Sequence, residues 1–101
     1  MKKDYDQFIK YNTTGAQPYN QATIIKPVSG CNGFLAVNTG DEIAFVNDHI
    51  LYPGTPGTNI GDSATFGGNL GELYVGTIRV RFAGGGTQPE ITIDQKQYVI
   101  L

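Results

Sequence analysis

From residue 22 onward, short apolar runs are broken every few positions by Gly, Pro, Asn or Asp. That spacing predicts an all-β domain, a small antiparallel β-sandwich or barrel whose half-buried strands are joined by tight turns. The runs give about eight short strands, at 22–26, 33–38, 42–47, 49–52, 63–66, 72–82, 90–94 and 96–101. The strongest is Thr77-Ile78-Arg79-Val80-Arg81-Phe82, whose alternation sends Ile78, Val80 and Phe82 to a core and Arg79 and Arg81 outward. Leu73 and Val75 carry the opposite parity, so a bulge at Gly76 is expected to reset the phase. Val37-Asn38-Thr39-Gly40-Asp41-Glu42 reads as a hairpin, a type I turn followed by Gly40 at positive φ. Ile91 and Ile93 mark another one-sided strand, and Asp94-Gln95 is expected to turn the chain into Tyr98-Val99-Ile100-Leu101.

Residues 1–21 follow a different pattern and are predicted to form an N-terminal arm, extended or short-helical, ahead of a domain at 22–101. Tyr5, Phe8, Ile9 and Asn12 recur at helical steps. A helix that short is not stable alone in water, so it must dock on its own domain, dock on a neighbour, or fray. Within the domain, 53–71 is a Gly/Pro-rich excursion poor in apolar residues, expected to return only Ala64 and Phe66 to the body.

Composition narrows the class of function. In 101 residues, 40% are hydrophobic and only 16% charged, enough for one core under an unusually neutral surface. Such a surface suits a protein covered by neighbours. A net charge of −2 and a pI near 5.1 give no general attraction to phosphate backbones, so nucleic acid is not the expected partner. No run is long enough to span a bilayer, and Met1-Lys2-Lys3 leads into Asp4-Tyr5-Asp6 instead of an apolar stretch, so neither a membrane nor a secretory signal is predicted. Arg79 and Arg81 share a strand face and could make a local anion contact or simply meet water. Cys31 is the only cysteine, so packing alone must hold the fold, and a reducing compartment is expected.

The sequence singles out no catalytic, cofactor-binding or metal-binding residues. The glycines are not followed by Gly-Lys-Ser/Thr, so no phosphate loop is predicted. One histidine, His49, sits beside Asp48 in an apparent hairpin corner, and Asp41, Glu42 and Asp62 could join it only by tertiary accident. Cys31, Ser29 or Ser63 would need His49 as a base, and none lies in a nucleophile motif. Glu72 and Glu90 are a carboxylate pair with nothing to single them out. Asn12-Thr13-Thr14 matches a glycosylation sequon but lacks a secretory context.

Phe34-Leu35-Ala36-Val37 and Tyr98-Val99-Ile100-Leu101 are apolar on both faces. Either a closed barrel or sandwich corner covers both faces, or at least one of them meets another chain or the arm. Candidate interface residues are therefore Phe34, Tyr98 and Ile100, with Tyr5, Phe8, Ile9 and Tyr11 of the arm.

Three segments carry a resemblance: Gly33-Phe34-Leu35-Ala36-Val37, Thr39-Gly40-Asp41-Glu42-Ile43-Ala44-Phe45, and Gly76-Thr77-Ile78-Arg79-Val80-Arg81-Phe82. In that order, and with the apolar ending Tyr98-Val99-Ile100-Leu101, the chain resembles small β proteins of tailed phages and gene transfer agents, of the head spike-base, head-fibre or capsid-decoration type. The stretch between Tyr52 and Leu73 is longer than in that pattern. The resemblance implies a non-enzymatic virion protein on the capsid surface, a homo-oligomeric dimer or trimer bound to a major capsid protein or other virion protein; whether the projecting end also binds a host glycan is left open by the sequence. The alternative expectation is a monomeric carbohydrate-binding module using its six tyrosines, although the chain has no tryptophan.

Overall fold

The computed structural model describes residues 9–55, 60–69 and 71–100, by backbone alone at 9–11 and 99–100. The strands are β1 (Ile9–Thr13), β2 (Gln17–Tyr19), β3 (Thr23–Ile25), β4 (Cys31–Asn38), β5 (Ala44–Val46), β6 (His49–Leu51), β7 (Ser63–Gly67), β8 (Ile78–Phe82) and β9 (Ile91–Ile100). Every ladder is antiparallel. One sheet has five strands in the order β1-β9-β4-β7, with β2 also paired to β9, and the other has four in the order β3-β8-β5-β6. The all-β fold read from the sequence is thus a small two-sheet sandwich.

Alternation builds the core. Phe34 and Ala36 of β4 and Ile91 and Ile93 of β9 pack with Ala44, Val46, Leu51, Ile78 and Val80 of the four-stranded sheet. The intervening residues, such as Leu35, Phe45, Arg79 and Arg81, are half-buried or exposed. Ala64 and Phe66 return to this core as expected. The Phe66 ring stacks on Phe34 at 4.7 Å, and Tyr74 stands edge-on to Phe34 at 5.1 Å.

Several local expectations are corrected. Of the two conformations expected for the arm, extended or short-helical, residues 9–13 take the extended one: Ile9 begins strand β1, which pairs with β9 from Ile9↔Ile100 to Thr13↔Lys96. An edge strand satisfies backbone groups that a one-turn helix would leave unpaired at both ends. β2 follows on the same edge, Gln17↔Ile93 to Tyr19↔Ile91, so residues 9–13 and 17–19 of the expected arm belong to the sheet. Tyr5 and Phe8 lie outside the described residues.

Asp94-Gln95 does not turn. β9 runs straight through, because the buried Gln95 is satisfied in place by accepting the Val28 N–H at 2.8 Å. The hairpin expected at residues 37–42 is instead a crossing from one sheet to the other. Asn38, fully buried, organises it by donating to the carbonyls of Glu42 at 2.8 Å and Leu51 at 2.9 Å and accepting the Gly40 N–H at 3.1 Å. Gly40 does not have positive φ; it is needed because a Cβ there would strike the backbone of residues 88–90.

The long strand expected at 72–82 is only β8. Gly76, at φ 113°, does break the phase, but residues 71–77 before β8 form no strand. The β5–β6 hairpin closes through Asn47 (φ 49°) and Asp48 (φ 67°), the pair of positive φ values of a type I′ turn, with His49 in its corner.

Candidate interaction surfaces

The hairpin turn gathers the outer face of the four-stranded sheet. Asn47 accepts the Arg79 N–H through Oδ1 at 2.7 Å and donates through Nδ2 to the Tyr74 hydroxyl at 2.6 Å, binding the turn to β8 and to the segment before it. Next to it Asp48 receives both arginines, Arg79 at 2.9 Å and Arg81 at 3.1 Å. Hydrogen bonding and charge from Arg79, then from Arg81, hold the Asp48 carboxyl below its ordinary range. Arg81 also lies over the Phe45 ring at 4.7 Å. The local anion anticipated for the arginine pair is therefore supplied by the chain itself.

A second carboxylate cluster closes the loop between β8 and β9. Asp41 accepts the Thr87 hydroxyl at 2.6 Å, the Gln88 N–H at 2.8 Å and the Thr87 N–H at 3.0 Å, and Glu42 accepts the Gly86 N–H at 3.0 Å. These bonds, led by the Thr87 hydroxyl, lower the Asp41 carboxyl.

On the outer face of the five-stranded sheet a groove of about 360 Å³ is lined by Thr13, Leu35, Thr65, Asp94 and Lys96. Asp94 Oδ1 is buried there without a hydrogen-bond partner. At one end of the sandwich lies a groove of about 310 Å³, lined by Lys26, Pro27 and Val28 from before β4 and by Leu73, Val75 and Gly76 from before β8. Val75 is 88% exposed and Leu73 61%. Tyr74, between them, is tied to β4 by its N–H on the Cys31 carbonyl at 2.7 Å. Directing Tyr74 inward forces its two neighbours out, which strand parity alone did not reveal.

Asn32, buried at a bulge in β4, stabilises this end. Its Nδ2 lies 2.8 Å from the Asn69 carbonyl, 2.9 Å from that of Glu72 and 3.0 Å from the Tyr98 hydroxyl, while its Oδ1 has no partner. Tyr98 Oη also accepts the Gly71 N–H at 2.7 Å. The sequence marks Asn32, Asn38 and Asn47 only as turn formers; their roles depend on carbonyls brought in by distant segments.

The residues read as interface candidates separate. Phe34 is 2% exposed and belongs to the chain's own core, so it offers no surface; Leu35, the next residue, faces out. Tyr98 is half-buried and hydrogen-bonded. Ile9 and Ile100 lie in a two-stranded ribbon: the β4 pairing of β9 ends at Gln97, the Tyr98 N–H still reaches the Gly30 carbonyl, and beyond it residues 99–100 pair with β1, while Tyr11 lies opposite Tyr98 at the base of that ribbon. Tyr5 and Phe8 are outside the described residues.

The residues considered for chemistry are occupied elsewhere. Cys31 is buried, which pushes its thiol above the ordinary value, and its Sγ lies 3.4 Å from the Gly33 carbonyl. His49 stands edge-on to Phe66 at 5.9 Å. Glu90 accepts the Thr39 hydroxyl and Glu72 the Asn69 amide, so the two carboxylates have separate partners. Among the described residues no group of three or more His, Cys, Asp or Glu could hold a metal ion. No described helix is long and apolar enough to cross a membrane.

These features define an antiparallel β-sandwich with an apolar groove and a two-stranded ribbon at one end. Comparison with protein families, curated proteins and solved structures finds no match to the chain.

Proposed function

We propose that the chain is a non-enzymatic structural protein of a phage-type virion, a capsid-associated sandwich that self-associates as a head fibre, spike base or decoration. The observation that carries this reading is the exposure of Leu73 and Val75 on a segment fastened at Tyr74. Apolar side chains held out on a fixed frame suit a contact with another chain. The low charge of the sequence and its resemblance to capsid-bound β proteins supply the virion context.

The carbohydrate-binding alternative has less support. Of the four tyrosines whose side chains are described, Tyr19, Tyr74 and Tyr98 are half-buried and only Tyr52, at 52%, is exposed. Stacking on sugars draws on open aromatic faces.

The test is quantitative mass spectrometry of particles purified from the source of the chain. The reading expects the chain in fixed copy number relative to the major capsid protein. Its absence from intact particles contradicts it.

A further inference from the structure

We infer that the groove between Pro27-Val28 and Leu73-Val75 receives residues 4–8 of a second copy, so that the chains assemble by exchanging arms. This rests on the structural-protein reading above and names the contact that would build its oligomer.

The groove and the start of the arm lie at the same end of the molecule. The Gly30 carbonyl, on the groove's wall, accepts the Tyr98 N–H at 3.0 Å. Two residues further along β9, Ile100 pairs with Ile9. At ordinary strand spacings Ile9 is about 12 Å from Gly30. The eight residues before it can span about 26 Å when extended, so a groove at this distance is within reach.

Direction and composition select a second copy as the source. From Ile9 β1 runs back along β9 toward the body, so the chain enters the ribbon at its outer tip. Docking in its own groove would require an immediate reversal, and Phe8, bonded to Ile9 and so only about 3.8 Å from it along the chain, cannot reach back to a wall about 12 Å away. A neighbouring copy can present the same segment without that reversal. Residues 4–8, Asp4-Tyr5-Asp6-Gln7-Phe8, place two aromatic residues between and after two acids. The groove presents the matching chemistry, exposed Val75 and Leu73 together with the exposed Lys26 in its lining. Reciprocal exchange closes a dimer, and head-to-tail exchange closes a ring.

The test uses two full-length variants. One carries Tyr5→Ser and Phe8→Ser and keeps the groove; the other carries Leu73→Asp and Val75→Asp and keeps the arm. By light scattering, the native chain should show a mass of two or more chains and each variant the 10.9 kDa of one. An equimolar mixture should return to two chains, because the arm of one variant meets the groove of the other. A variant of unchanged mass, or a mixture that stays at one chain, overturns the inference. A chain carrying Phe8→Cys and Val75→Cys gives a second readout independent of the aspartates: mild oxidation should link two chains, and an intrachain disulfide or none overturns the exchange. Particle mass spectrometry does not depend on these masses, so the virion reading can survive their failure.

Discussion

Tyr74 and Val75 are adjacent in sequence and opposite in environment: the Tyr74 ring stands 5.1 Å from Phe34 and its hydroxyl meets Asn47, while Val75 is 88% exposed. Truncating Tyr74 to Ala removes packing against Phe34 and a part-buried hydrogen bond to Asn47 and should cost about 2–3 kcal/mol. Val75→Asp should change stability by no more than about 0.5 kcal/mol, as for most surface positions. Urea unfolding of both variants checks the contrast, and a large loss at Val75 would mean that the segment packs against its own chain.

The same contrast applies on β8. Val80 is buried and Arg79 exposed, so Val80→Asp places an unpaired charge in the core and should unfold the domain, a loss of roughly 4 kcal/mol or more. Arg79→Ala leaves Asp48 its second partner, Arg81, and should shift the melting temperature only slightly. Comparable losses at both sites would contradict the register Val80↔Val46.

Acid should loosen two loops together. Both Asp41 and Asp48 are held below the ordinary carboxyl value of 3.8 by the bonds they accept. Their contribution is therefore complete above that value and is lost as pH falls through the lower, folded one. Melting temperature should fall below about pH 4, and Asp41→Asn with Asp48→Asn should lower it at pH 7 while flattening the acid limb. An acid limb unchanged in the double variant would place the responsible carboxyls elsewhere.

Truncation separates arm from sheet. Removing residues 1–8 leaves every described strand, so the melting temperature should be retained. Removing residues 1–17 deletes β1 and the first residue of β2 and exposes one edge of the ten-residue β9, and should lower it measurably. Circular dichroism melts distinguish the two, and equal stability would mean that β1 contributes nothing to the fold.

The core was largely legible, because period-two alternation at Ile78 and Val80, at Ile91 and Ile93, and at Ala64 and Phe66 reports burial directly. What stayed hidden depends on long-range partners. Asp94-Gln95 resembles a turn until the Val28 N–H makes a buried Gln95 acceptable, and Thr39-Gly40 resembles a hairpin until Asn38 and the 88–90 backbone specify a crossing. The apolar groove is hidden in the sequence for the same reason: Leu73 and Val75 show strand parity, and only Tyr74, fixed by Cys31 and Asn47, turns them outward.

The central claim, that this sandwich is built to assemble, is tested most directly by the molar mass of the full chain in solution. Light scattering at micromolar concentration should give an integral multiple, two or more, of 10.9 kDa. A single 10.9 kDa species across that range, from a chain that also fails to co-sediment with capsids, would contradict it.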